Sequence, residues 1–265
     1  MARILVRGAG DIGSAVALRL RQAGHAVVVH DEPRPAHPRR GMAFTDAFYE
    51  GTSTLEGVRA KRARDARDIA PMLACARAIP VCDLALAELL EAIAPDAVVD
   101  ARMRKHAPPE GRGDASRLCI GLGPGFVAGG NADLVVETAW GEALGRVIRE
   151  GKARELEGEP RSLAGRGRER FVYSPAAGIL RTALAIGDAV REGDEVARVG
   201  DRSVRAPFSG ILRGLTHDGA AVAPGTKIVE VDPRGDRAAA FGVGERPGRI
   251  AAGVIAAMHT ALGSA

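Results

Sequence analysis

The chain has 265 residues, 46% of them hydrophobic, a mean hydropathy of −0.02, a net charge of +4 and a pI near 9.3. That is enough for one large or two smaller cores, and it argues for a soluble protein. Aromatics make up only 3% and form no stripe with basic residues, so the stacking platforms of single-strand binders are not indicated and no nucleic-acid partner is expected.

Residues 1–150 alternate short apolar runs with helical patterns, the signature of a layered α/β domain. Strands are predicted at "RILV", "AVVVH", "GVRAKRA", "IPVCD", "AVVDA" and "RLCIGLG", with helices starting near Ile12, Asp65 and Leu84. Between the first strand and helix stands Gly8-Ala9-Gly10-Asp11-Ile12-Gly13, a full G-x-G-x-x-G. Its first glycine permits a tight turn, its second lets a pyrophosphate approach the backbone, and its third lets helix and strand pack closely. Free N–H groups at the helix start then favour phosphates. Asp31 ends the second predicted strand, where an acid accepts hydrogen bonds from a ribose. The Asp11 carboxylate would repel a phosphate placed close to it and would instead cap the helix. Packing glycines in a plain strand-to-helix turn remain the alternative.

"PAHPRRGMAF" presents Arg39 and Arg40, a pair that would hold a phosphate or carboxylate or stay solvated. Asp100, Arg102 and Lys105 follow a strand and are candidates at the same sheet edge, with a solvated surface as the alternative. A second glycine loop, "IGLGPGFVAGGNAD", carries Gly121, Gly123 and Gly125 and is expected to wall the same cleft. His30, His106 and His217 lack metal-ligand spacing, so no metal is expected, and no Ser-His-Asp or Cys-His arrangement is present. Cys75, Cys82 and Cys119 form no CxxC pair and no even disulfide set. A reducing, cytoplasmic setting follows, with Cys119 an inert buried thiol. "MARILVRGAG" is too short and too charged for a signal peptide.

Residues 151–170 are charged and aperiodic and read as a linker. Residues 171–233 hold short β-type runs and a direct repeat. "PAAGILRTALAIGDAVREGDEV" from Pro175 returns 32 residues later as "PFSGILRGLTHDGAAVAPGTKI" from Pro207, with nine of 22 positions identical. Two such copies bury a shared core by facing each other. Residues 234–265 form a C-terminal segment ending in "IAAGVIAAMHTALGSA", a closing helix shorter than the roughly 20 residues of a bilayer span, so no membrane partner is expected.

The doubled unit, with its "GDEVARVGD" and "APFSG" punctuation, resembles the barrel-sandwich hybrid of biotinyl and lipoyl carriers. Those carriers need a lysine at the hairpin tip. Here Arg202 stands there, and no lysine lies between Lys152 and Lys227. A guanidinium does not become the neutral nucleophile that an amide link requires, so covalent biotin or lipoate is excluded. The expected fold is therefore α/β: a Rossmann-like N-terminal domain followed by a small, lysine-free barrel-sandwich hybrid.

Across almost the whole chain, "RGAGDIGSAVALRL", "RRGMAF", "VVDARM", "IGLGPGF" and "APFSG" in that order resemble the YqeB-like selenium-dependent molybdenum hydroxylase accessory proteins. The segment "VVETAWGEALG" departs from the more polar, basic stretch expected there. The resemblance implies a cytoplasmic bacterial factor in the maturation of a xanthine-dehydrogenase-like molybdenum hydroxylase, its client. The cofactor would be an NAD-type dinucleotide or a molybdopterin-type molecule. A homo-oligomer is compatible with this role. An NAD-dependent oxidoreductase and a non-catalytic scaffold are the alternatives.

Overall fold

A computed structural model describes residues 1–104, 109–110, 116–155 and 160–263. In the first half, β1 (Arg3–Arg7), α1 (Asp11–Gln22), β2 (Ala26–His30) and the short α2 (Ala47–Glu50) lead into β3 (Thr52–Leu55) and β4 (Val58–Arg62). There follow α3 (Ala66–Cys75), β5 (Ile79–Cys82), α4 (Leu86–Ile93), β6 (Ala97–Asp100) and β7 (Leu118–Leu122). Four short strands close this half: β8 (Val127–Ala128), β9 (Leu134–Val136), β10 (Val147–Ile148) and β11 (Gly151–Lys152). Nine strands form one sheet in the order β10-β9-β7-β6-β1-β2-β5-β4-β3. Its interior pairings are parallel, and its outer pairs β9–β10 and β3–β4 are antiparallel.

Alternation along the strands feeds two layers. Ile4 and Val6 of β1, with Val27 and Val29 of β2, join the core that contains Ile12, Val16 and Leu20 of α1. Leu5 and Val28 point to the other face, against Ile69 of α3 and Leu89 of α4.

The second half runs through β12 (Phe171–Tyr173), β13 (Gly178–Arg181), β14 (Ala189–Val190), β15 (Glu195–Val199), β16 (Arg202–Arg205), β17 (Gly210–Leu215), β18 (Ala221–Val222) and β19 (Lys227–Asp232). They form two four-stranded antiparallel sheets, β12-β19-β17-β14 and β16-β15-β13-β18. The repeat explains the arrangement, because each copy lends its short strand to the other. Val190 pairs with Gly210 and, 32 residues on, Val222 pairs with Gly178. The N–H of Gly187 donates to Leu212 O at 2.8 Å, and its counterpart Gly219 donates to Leu180 O at 2.8 Å. Neither copy completes its sheet alone. The β15–β16 turn falls at Gly200 and Asp201, with Arg202 already paired to Val199.

The expected fold class is corrected by this sheet composition. In place of a Rossmann-like domain followed by a biotinyl/lipoyl-like barrel stand a large mixed sheet and several small antiparallel ones. The two halves also interlock. The last helix, α5 (Glu245–Leu262), returns from beyond the small sheets to pack Ile250, Ala251, Val254, Ala257 and Met258 into the α1 core. Residues 38–41 run alongside β17, where Leu215 N–H donates to Pro38 O at 2.8 Å and Arg40 Nε donates to Leu215 O at 2.7 Å. Strand–helix alternation reports local periodicity, and it does not say which distant helix covers the sheet.

No described helix is long and apolar enough to cross a membrane. Seating of α5 depends on Gly253, where a Cβ would lie 2.1 Å from Gly145 O and 2.8 Å from Val136 Cγ1. Gly253→Ala is therefore expected to cost about 3 kcal/mol through overpacking. Gly248→Ala, whose Cβ would meet nothing closer than 3.6 Å, gains up to about 1 kcal/mol of helix propensity. Urea unfolding midpoints of the two variants test the contrast, and equal midpoints would contradict this packing.

Candidate functional site

The glycine loop is filled by the protein's own side chains. Gly8 takes φ +109°, and a Cβ there would lie 2.8 Å from the Ala101 carbonyl. At Gly13 a Cβ would lie 1.8 Å from Gly8 O, so the first and third glycines serve close packing. Over Gly10, where a pyrophosphate would approach, sits the His37 imidazole, 3.1 Å from the position of a Cβ. The Asp11 N–H donates to His37 Nε2 at 3.1 Å, and burial pushes the His37 pKa down, favouring the neutral ring that can accept there. Ala9 N–H donates to Asp31 Oδ2 at 2.6 Å, and Ile12 N–H to Asp11 Oδ1 at 3.1 Å. Asp31 thus braces the loop and also accepts from Glu32 N–H at 2.8 Å. A phosphate at Gly10 would have to displace His37.

The open space lies beside that loop. A cavity of about 880 Å³ is lined from both halves of the molecule. Asp11, Ile12, Arg39 and Asp100 line it, as do Leu122, Pro124 and Phe126 of the second glycine loop. The glycines of that loop shape the wall from behind. A Cβ at Gly121 would collide with Phe126 at 2.2 Å, one at Gly123 with Thr138 Oγ1 at 2.4 Å, and Gly125 takes φ +87°. Described residues of 151–170, among them Arg154, Arg161 and Arg170, form another wall. Lys105 and His106 lie outside the described residues.

Behind the lining residues Arg39, Arg170 and Arg213 lies Glu230 of β19, 0% exposed. Arg39 Nε donates to its Oε2 at 2.6 Å, Arg170 Nη1 donates to its Oε1, and Arg213 Nη1 reaches Oε1 at 3.4 Å. Arg39 Nη1 also donates to Asp11 Oδ2 at 2.9 Å, so one guanidinium joins the start of α1 to β19. Burial would push the Asp11 carboxyl up, but Arg39, by its charge and its hydrogen bond and with Arg246 behind it, holds it down to about 2. Glu230 is likewise held below the usual range, its three arginines outweighing burial. Arg40 instead binds Asp46 at 2.9 Å, and Asp100 binds Arg102. Glu137, 3% exposed, accepts from the amides of Thr138 and Ala139 at 2.8 Å and Arg154 at 2.9 Å, fixing two parts of the wall. Trp140 faces the cavity with the Arg161 guanidinium 4.7 Å from its ring centre.

Sequence reasoning thus placed Asp11, Ile12, Arg39 and Asp100 on the cavity, while Gly8, Gly10, Gly13, Asp31, Arg40, Gly121, Gly123 and Gly125 stand behind it. It missed His37, Arg170, Arg213, Glu230 and Arg246. Glu230 alone left a trace, as a carboxylate within the apolar run "KIVEVD". Among the described residues no His/Cys/Asp/Glu group could hold a metal ion. Cys82 and Cys119 are buried, and burial pushes the Cys82 thiol up to about 12.

Because the Asp11 carboxyl is depressed when folded, its stabilisation is present in full above the ordinary aspartate value and is lost as pH falls through about 2. The stability lead of the parent over Asp11→Asn should shrink by about 2 kcal/mol between about pH 6 and pH 2. Urea unfolding across that range checks this, and a lead that does not change with pH would contradict the ion pair.

No family model matches the chain. A search of curated proteins finds YqeB of Escherichia coli strain K12, described as an uncharacterized protein, 40% identical over 198 residues. The match covers 75% of this chain and 36% of YqeB, so the chain spans about a third of that relative's length. Among solved structures, product-bound EutE (DoeB), an ectoine utilization protein from Ruegeria pomeroyi, aligns over 87% of this chain and 85% of its own at 14% identity, with a TM-score of 0.26. A succinylglutamate desuccinylase from Silicibacter sp. TM1040 aligns over 87% and 84% at 14% identity, with a TM-score of 0.25. Scores that low carry no argument about this chain's chemistry. Over the 198 matched residues, the chain is YqeB-like.

Proposed function

We propose that the chain holds a phosphate-bearing cofactor in the 880 Å³ cavity and serves as an accessory factor in the maturation of a molybdenum hydroxylase. The observation that carries the ligand class is the composition of the wall. Arginines outnumber carboxylates there, and Phe126, Trp140, Phe171 and Tyr173 supply ring surfaces among them. Guanidinium groups grip phosphate through paired N–H donors, and aromatic faces take a planar ring. The volume falls within the range of pockets that enclose cofactor-sized ligands. The client class comes from the resemblance to the selenium-dependent molybdenum hydroxylase accessory proteins, so the hydroxylase is a proposal of the same standing as the ligand.

In this reading the protein binds and presents the cofactor. Arg39 and Arg170, anchored on Glu230, keep the cavity floor rigid, and Glu137 keeps the Trp140 wall in place. A nicotinamide-dependent oxidoreductase finds less support, because Asp31 is bonded to the Ala9 amide and His37 covers Gly10.

A thermal-shift panel of NAD, NADP, ATP, CTP and molybdopterin forms tests the ligand. A bound compound at 100 times its Kd should stabilise by about 2.7 kcal/mol. Absence of any shift would contradict the cofactor reading. The accessory role predicts that a molybdenum hydroxylase purified from cells lacking this protein carries less cofactor, with its polypeptide level unchanged. Full cofactor content in those cells would remove that role.

A further inference from the structure

We infer a phosphoryl subsite between Arg213 and Arg246 at the start of α5, beside the glycine loop and not on its amides. It rests on the cofactor reading only for the rest of the ligand, since a bare phosphate tests the subsite by itself.

Unequal charge carries the argument. Four guanidinium groups, those of Arg39, Arg170, Arg213 and Arg246, stand around three carboxylates, Asp11, Glu230 and Glu137, which leaves one positive charge in excess. The nearby acids are already engaged. Asp232 accepts from Arg234 at 2.9 and 2.6 Å and Glu245 pairs with Arg161 at 2.9 Å, while the three amides that bond Glu137 leave its charge in that balance.

Arg213 is the most distant of the three partners of Glu230. Its Nε donates to Ala239 O at 3.1 Å, and its Nη2 lies 3.9 Å from where a Cβ on Gly244 would stand. Arg246 has its Nε fixed on Thr138 O at 2.7 Å and pairs with no carboxylate among the described residues. Both line the cavity together with Gly244 and Glu245. Burial, followed for Arg213 by repulsion from Arg39, presses both guanidinium groups toward the neutral form. An arginine keeps its proton under such pressure, so the excess charge calls for an anion.

Backbone geometry adds donors at the same place. Gly244 is the N-cap of the 18-residue α5 and has no side chain to cap it, so the amides of Glu245 and Arg246 carry no capping acceptor from it, while Pro247 in the third position has no N–H and Gly248 N–H donates to Gly244 O at 2.9 Å. Two guanidinium forks and a helix start present more donors than one carboxylate can use. A tetrahedral dianion with several acceptor oxygens matches them. The amides of the G-x-G-x-x-G loop, by contrast, are bonded to Asp31, His37 and Asp11.

Inorganic phosphate, titrated calorimetrically into the full chain, is the first probe. The parent should bind it, and Arg246→Met and Arg213→Met should each weaken Kd about tenfold or more. Arg198→Met, on β15 and outside the cavity lining, should leave Kd nearly unchanged. Because Arg213 also contacts Glu230, Arg246→Met decides the matter if Arg213→Met fails to fold, with folding checked by circular dichroism. Phosphate binding to Arg246→Met as tight as to the parent, or no binding to the parent, would overturn the subsite. A nucleoside diphosphate that competes with phosphate, where the free nucleoside does not, assigns the subsite to the phosphoryl end of a larger ligand. Phosphate binding without such competition supports the subsite for the free anion and counts against the cofactor reading alone.

Discussion

The structure depends on one buried carboxylate. Glu230 receives Arg39 from the loop after β2, Arg170 from the segment before β12, and Arg213 from β17. Three stretches far apart in sequence are thereby fixed to one point between the large sheet and the small ones. Buried ion pairs contribute little net stability once desolvation is counted, but loss of one partner leaves uncompensated charge at a cost of about 3–5 kcal/mol. What Glu230 supplies is position. It holds a set of guanidinium groups in place, on a surface that would otherwise scatter them.

The cavity follows from that constraint. Arg39 is stretched between Glu230 and Asp11, so the start of α1 cannot move away from β19 without breaking an ion pair at each end. α5 closes the other side, packed on the α1 core through residues such as Ala251 and set against Gly145 and Val136 at Gly253. The result is a space walled by arginine and aromatic side chains whose excess charge is positive. The glycine loop at its edge has become a packing device, with His37 lying where a phosphate would lie in a dinucleotide fold.

Much of this was legible in the sequence, and the limits have physical causes. The predicted strands and helices of residues 1–123 appear close to their expected positions, because apolar period and turn glycines are local signals. The 32-residue repeat correctly announced two copies sharing a core, and the exchange of β14 and β18 between copies is its structural form. The fold class was not legible. Its N-terminal motif is shared by many turns, and nothing local in "ERPGRIAAGVIAAMHTAL" says that this helix returns to α1. Asp11 and Arg39 were found because they sit in or beside motifs, yet their bond to each other was not foreseen. Arg170, Arg213 and Arg246 were hidden by abundance, since a chain rich in arginine gives no reason to single out three.

The central claim is that this cavity retains a phosphate-bearing small molecule. Native mass spectrometry of the protein purified from its own host tests it most directly, with denatured extraction and elemental analysis of whatever is released. The account predicts a mass above that of the chain, lost on denaturation and containing phosphorus. A protein that carries only its chain mass, and still does so after incubation with phosphate-bearing cofactors, would contradict it.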